Sequence, residues 1–217
     1  MPMDHPVIRF LNKMADLIIL NILFLVCCIP VITTGAAITA LYHVNLRSIR
    51  YGDGYVAREF FRAFKRNFWH ATIVWLVTVA AAALFGVDLW FWMRGVGGIQ
   101  GKFMTVISIC FAFLYFIVVL WFFPVLAKLE NPHWTNVKNA AAMAVGHFFP
   151  YTIICAALVA GAAYAVYVSI TADVIMLLMG FSLLTYILSF FFYKVFAKYI
   201  EEEPVGEDDP LYGGKNE

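Results

Sequence analysis

Apolar residues along this chain neither alternate nor recur on one face; they run on without interruption. The first run extends from Leu17 to Leu46, broken by Pro30 and the Thr33-Thr34-Gly35 stretch. A second runs from Ala71 to Val87 and continues past Asp88 as Leu89-Trp90-Phe91-Trp92. A third covers Phe103 to Ala127, a fourth lies within Asn139 to Ala172 and is most apolar from Tyr151 onward, and a fifth covers Val174 to Tyr193. A bilayer core about 30 Å thick takes roughly 20 residues of helix. Only helix satisfies the backbone of such runs in lipid, where each unpaired polar group costs several kcal/mol. The pattern therefore predicts an all-α polytopic transmembrane helix bundle over residues 1–200, with five spans at about 14–34, 70–92, 103–125, 148–169 and 174–194.

The first run poses a question of parity. If it crosses once and ends near Pro30, the N-terminus lies outside and eleven of the fifteen Lys and Arg residues lie inside. If residues 35–46 return as a short or re-entrant sixth helix, the N-terminus lies inside and the split is thirteen to two. Both satisfy the positive-inside rule, the second by a wider margin. A dozen residues rise only about 18 Å, so the five-span reading is preferred. Segment 47–66 is cytoplasmic under either.

Composition excludes other classes. Apolar residues make up 63% and charged residues 13%, against about half and about a quarter in ordinary soluble domains; mean hydropathy is +0.82. That rules out a soluble domain, a disulfide scaffold, a disordered regulator and a nucleic-acid binder. The charge is uneven. Residues 201–217 hold seven acids and one base, while the other 200 residues carry fourteen bases and seven acids. This tail contains Pro204, Gly206, Pro210, Gly213 and Gly214, cannot bury a core and is expected to be disordered. All four cysteines (Cys27, Cys28, Cys110, Cys155) lie in apolar runs and are expected to act as small hydrophobes without disulfides. The first sixteen residues lack the layout of a cleaved signal peptide.

One segment departs from the uniform greasiness. Residues 57–68 read AREFFRAFKRNF. At 100° per residue, Ala57, Phe60, Phe61, Phe64 and Phe68 share one sector, and Arg58, Glu59, Arg62, Lys65 and Arg66 fall opposite. Asp53-Gly54 supply a turn and start signal. The expectation is an amphipathic helix over 55–68 lying in the cytoplasmic interface, phenylalanines in the acyl chains and bases toward headgroups or a protein. Arg58, Phe60, Phe61, Arg62, Phe64, Lys65, Arg66 and Phe68 are thus the candidate partner- or lipid-contact residues.

Other features favour structural readings. Trp69, Trp90, Trp92, Trp121, Phe122, Phe123, Phe148, Phe149, Tyr151 and Tyr193 sit where spans end, as an interfacial belt would. Ala157, Gly161 and Ala165, and Ala82 with Gly86, have the spacing of close helix packing. Asp16, Asn21, Asp88, His147 and Asp173 lie within or beside the spans and none falls clearly at the costly bilayer centre; Asp88 and Asp173 map to outer ends, where water can reach them, and Asp16 to the start of the first span. His43, His70 and His133 show no metal-ligand spacing. RGVGGIQG at 94–101 fails the dinucleotide spacing at Gln100, and no HExxH or G-x-S-x-G occurs. No catalytic residue, cofactor or metal is expected. A faint echo links IPV (29–31) before NFWHATIV (67–74) to FPV (123–125) before GHFFPYTII (146–154); in both, a Pro-Val is read as closing a span.

Within residues 27–76, Pro30-Val31, Thr33, Gly35, Ala40-Leu41-Tyr42, Asp53-Gly54, Phe60-Phe61, Phe64 and Phe68 follow an unusual order. In these about fifty residues the chain resembles the YesL-like family of bacterial integral membrane proteins, mostly from Firmicutes, a domain of unknown function. The resemblance implies location in a bacterial cell membrane. It also implies genes near carbohydrate ABC transporters, polysaccharide-degrading enzymes and two-component sensors. From this follows the expected function: a non-enzymatic accessory or regulatory subunit of a carbohydrate uptake or sensing system, contacting membrane lipids and an ABC permease or sensor kinase through helix 55–68. A small secondary transporter or channel for a sugar-like solute is the alternative, and a lipid-modifying or lipid-binding protein a third.

Overall fold

A computed structural model describes residues 6–51, 55–95, 98–129, 133–146 and 151–199. Asp53, Gly54, His147, Phe148, Phe149 and the acidic tail lie outside them. The described residues are helical with short breaks: α1 (Pro6–Cys28), a 3-10 turn (Val31–Thr33), α2 (Thr34–Tyr51), α3 (Val56–Arg94), α4 (Gly98–Lys128), α5 (His133–Gly146), α6 (Ile153–Val168), α7 (Ile170–Ile175), a π turn (Met176–Gly180) and α8 (Phe181–Tyr199). The helices over Phe10–Cys28, Val56–Arg94, Gly98–Lys128 and Ile170–Lys198 are long and apolar enough to cross a membrane, and α6 is a shorter apolar helix. Their apolar surfaces face outward. Only 6% of the most apolar window of α3 is buried, and Leu76, Val77, Leu84, Val87, Phe103, Phe111 and Leu114 are exposed. A soluble monomer avoids exposing such a patch, so the molecule is a polytopic helical membrane protein.

The first apolar run breaks where Pro30 requires. Proline lacks the N–H that would continue the ladder of α1, and Thr33 Oγ1 donates to the carbonyls of Cys27 (2.5 Å) and Pro30 (2.8 Å), satisfying end groups the helix leaves over. The chain then turns back. α2 lies antiparallel to α1, with Cys27 and Thr33 at the shared tip and the Lys13 ammonium donating to Ser48 Oγ near the open end. α2 is the buried centre: Ala36, Ala37, Thr39, Ala40 and Leu41 are at most 1% exposed. Where 35–46 was expected to be a connector or a dozen-residue re-entrant stub, it is part of an 18-residue helix, about 27 Å long.

The α1–α2 tip meets α3 partway along its length. Trp75 Nε1 donates to Val31 O at 2.8 Å. A Cβ added at Gly35 would lie 2.4 Å from Trp75 Cβ and 2.5 Å from Ala71 O. Neither is the movable end of a side chain, so Gly35→Ala must push α2 from α3. Overpacking of this kind costs about 1–3 kcal/mol, and we expect a lower detergent melting midpoint for this variant while Gly86→Ala, with nothing within 4 Å, stays at wild type.

Several sequence expectations change here. Residues 55–68 are not a separate helix lying in the interface. They open the single 39-residue α3, about 58 Å long, because nothing between Phe68 and Ala71 interrupts the helical hydrogen bonds. Pro124 does not end its span either; α4 runs on to Lys128 with Trp121 through Ala127 buried. Trp121, Phe122 and Phe123 therefore belong to the core instead of an interfacial belt, Trp121 meeting the Phe192 ring at 4.9 Å and donating to Thr152 Oγ1 at 2.9 Å. Trp69 and Trp90, 73% and 61% exposed, remain in the outward position a belt requires. Gly86 and Gly161 meet no neighbour within 4 Å, so their small-residue spacings do not mark close packing within this chain.

Candidate functional site

The ends of α2 and α4 and the first three turns of α3 meet at one end of the bundle. Helix C-termini favour cations and N-termini anions. Arg50 occupies the last turn of α2, Lys128 that of α4, and Glu59 the first turn of α3. Position 43 on α2 is followed at i+4 and i+7 by Arg47 and Arg50, which places all three on one face. Together with Arg66 of α3 and Lys128 of α4 they line a cavity of about 190 Å³.

Each part has a local cause. Ala127 lies in the last turn of α4, whose carbonyls have no intrahelical donor; His43 Nδ1, 3.0 Å away, supplies one. That bond uses the Nδ1 hydrogen. Arg66 Nη2, 3.3 Å from the same nitrogen, therefore faces an N–H rather than a lone pair and lies against the ring without bonding there. Arg47 Nε reaches Glu59 Oε1 at 3.0 Å, with side chains 19% and 4% exposed. This pair, half-buried at Arg47 and buried at Glu59, ties α2 to α3. Four cations thus converge on one recess, and among its described lining residues none is acidic.

The sequence-derived contact residues separate into two groups. Phe60 is fully buried against Leu20, Phe24, Ala37, Leu41 and Val44. Phe64 and Phe68 continue the row at ring-centroid distances of 6.2 and 5.5 Å, half-buried against the same packing. Only Phe61, 44% exposed, stands outward. The predicted apolar sector is real, but α1 and α2 cover it, not lipid. The bases opposite are all exposed: Arg58, Arg62 and Lys65 follow one ridge, and Arg66 also lines the cavity. Sequence reasoning missed His43, Arg47, Arg50 and Lys128, although the i, i+4, i+7 spacing of the first three was available. Among the described residues no group of three or more His, Cys, Asp or Glu is gathered.

A polytopic helical membrane protein with a basic recess at one end is the class this arrangement defines. Residues 17–89 match the family described as "Protein of unknown function, DUF624", a stretch that contains the α1–α2 hairpin, the Arg47–Glu59 pair and the start of α3. Neither a curated protein nor a solved structure matches the chain.

Proposed function

We propose that the protein is a non-catalytic accessory subunit of the bacterial plasma membrane, which docks on a membrane partner through the ridge Arg58, Arg62 and Lys65. The observation that carries this reading is the fixing of that ridge. Phe60, Ala63, Asn67 and Ala71 on the other side of the same turns are buried, so three bases at i, i+4 and i+7 are held outward with no freedom to roll. Pre-oriented cations favour fast, specific association with an acidic surface. The gene neighbourhood that the YesL-like resemblance implies points to a carbohydrate ABC permease or its sensor kinase as that partner.

The hairpin also bears on orientation. It returns the chain to the side it came from, since Lys13 of α1 and Ser48 of α2 meet. Its tip reaches α3 only at Trp75, leaving nineteen residues to Arg94, or about 28 Å, beyond it. We read the hairpin as entering and leaving from the cytoplasmic face. The N-terminus is then inside and the bases divide thirteen to two.

Transport finds less support. Asn21 is engaged with the backbone around Met176, Asp88 accepts from Trp92 on its own helix at 3.0 Å, and Asp173 is exposed. None of these groups lines the basic recess. The test is a pull-down from native membranes in mild detergent. The full chain is expected to recover a permease or kinase, and Arg58→Glu, Arg62→Glu and Lys65→Glu together should reduce that recovery at least tenfold without changing membrane insertion. Recovery undiminished in the triple variant would remove the docking role.

A further inference from the structure

We propose that the acidic segment 201–217 folds back onto the ridge Arg58, Arg62 and Lys65 of its own chain and occupies it until a partner displaces it. The inference rests on the reading of that ridge as a docking surface and adds its regulation. Among the described residues, Arg58, Arg62 and Lys65 are exposed and make no hydrogen bond, ion pair or ring contact. The other bases at this end are engaged already: Arg47, Arg50, Arg66 and Lys128 around the recess, and Lys198 near the end of α8. Arg94 and Lys102 stand at the opposite end of α3 and the start of α4. Three bases without a partner therefore face outward at one place.

Chain length and charge both fit this occupant. Phe192, Val195 and Phe196 pack in one cluster with Leu46 of α2 and Ala127 of α4, so the last turns of α8 come to the end of the bundle where α2 and α4 finish and α3 begins. Helix α2 bridges α8 and α3: Tyr42 meets the Phe192 ring at 6.0 Å, and Arg47 meets Glu59 at 3.0 Å. Two helix spacings of about 8–10 Å and half a helix diameter of about 5–6 Å put the outer face of α3 about 25 Å from α8. Helix α8 ends at Tyr199, and the ten residues from there to Asp209 reach at most about 33–36 Å. Glu201, Glu202, Glu203, Glu207, Asp208 and Asp209 lie along that stretch with no base among them. Extended, 207–209 cover about 7–10 Å, against about 10 Å of rise from Arg58 to Lys65, so three carboxylates can face three bases. Exposed pairs of this kind are individually weak and screened by salt. A short tether offsets that weakness, because it holds the acids at an effective concentration in the millimolar range. A tethered occupant in turn lowers a partner's apparent affinity in proportion to the fraction of ridges left free.

The test places a photoreactive benzoylphenylalanine in place of Val205 or Leu211 in the purified full-length protein. That protein is mixed in detergent with an isotope-labelled copy lacking the probe, and crosslinks are mapped by mass spectrometry. A crosslink to residues 55–69 of the same chain is expected in about 50 mM salt. It should fall at least about tenfold in about 1 M salt, where charges are screened beyond about 3 Å. It should fall as far when Arg58→Glu, Arg62→Glu and Lys65→Glu are combined. The same loss is expected when Glu201→Gln, Glu202→Gln, Glu203→Gln, Glu207→Gln, Asp208→Asn and Asp209→Asn are combined, a set that changes no residue of the helices. Arg94→Glu with Lys102→Glu should leave the crosslink unchanged. In the pull-down from native membranes, the neutralised segment should raise partner recovery about threefold or more. A crosslink that survives salt and neutralisation, lands elsewhere or joins labelled to unlabelled chains overturns the folding-back. Recovery unchanged by neutralisation overturns its regulatory role. Loss of the partner in the triple variant without any crosslink would keep the docking role and remove this one; the expected crosslink with no partner recovered would do the reverse.

Discussion

Replacing Arg47 by Leu is expected to be among the most damaging single changes in the molecule, and adding Glu59→Leu is expected to restore most of the loss. Arg47 Nε and Glu59 Oε1 are 3.0 Å apart, and Glu59 is only 4% exposed. Removing one member of a buried pair leaves the other charge desolvated, at a cost of about 3–5 kcal/mol, whereas replacing both with apolar residues is often neutral. The carboxylate of Glu59 cannot turn to water, because the fully buried Phe60 beside it fixes that turn of α3 against α2. The test is a double-mutant cycle on SDS unfolding in mixed micelles. An Arg47→Leu loss of at least about 3 kcal/mol, mostly recovered in the double variant, is the expected outcome. Additive losses in the double variant would show that the pair does not fasten α2 to α3.

The reason this pair was not legible in the sequence applies to much of the molecule. Periodicity identifies a face but not what covers it. Phe60, Phe64 and Phe68 were readable as one stripe on a helix, and the long runs from Ala71, Phe103 and Val174 were readable as membrane helices, because lipid imposes length and hydropathy directly. Whether that stripe meets lipid or protein depends on α2, a helix carrying His43, Asn45, Arg47 and Arg50 and therefore failing the hydropathy pattern that found the others. α2 is buried by its neighbours rather than by lipid, so small residues (Gly35, Ala36, Ala37, Ala40) specify it in place of long apolar ones. The same helix brings His43 and Arg47 to the recess. Missing its role meant missing the site, while the exposed ridge Arg58, Arg62 and Lys65 needed no tertiary information and was found.

Pro124 and Pro30 show a second limit. Both lack a backbone donor, and the sequence pattern places a span end at each. Pro30 follows the last turn of α1, where Thr33 binds the released Cys27 and Pro30 carbonyls. Pro124 sits four residues before the end of α4 among buried residues 121–127, where packing on both sides holds the helix together despite the lost bond. Local chemistry was identical in the two cases; tertiary contact decided the outcome.

The π turn at Met176–Gly180 was the least predictable element, and it carries the second large expectation. A π turn shifts the backbone ladder by one residue, which releases carbonyls and amides from their usual partners. Asn21 of α1, fully buried, takes them up: its Nδ2 donates to Met176 O at 3.2 Å and to Leu177 O at 2.7 Å, and Ser182 N–H donates to its Oδ1 at 3.1 Å. One amide thus meets three backbone groups and joins α1 to the α7–α8 rod. Asn21→Leu keeps the volume and removes all three. Polar contacts within membranes average about 0.6 kcal/mol and reach about 1.7, so the loss is expected at about 2–4 kcal/mol, less whatever the segment recovers by reverting to α-helix. Such a reversion would rotate Phe181 and the rest of α8 relative to α1, disturbing the Phe24–Phe181 contact at 5.4 Å. Cysteine crosslinking between positions 24 and 181 would report it. An efficient crosslink in the wild-type background that drops in Asn21→Leu, together with easier SDS unfolding, is the expected result. An unchanged crosslink and unchanged unfolding would mean that the π turn is held by the packing of Gly180, where an added Cβ would lie 2.4 Å from Met176 Sδ, and that Asn21 only follows it.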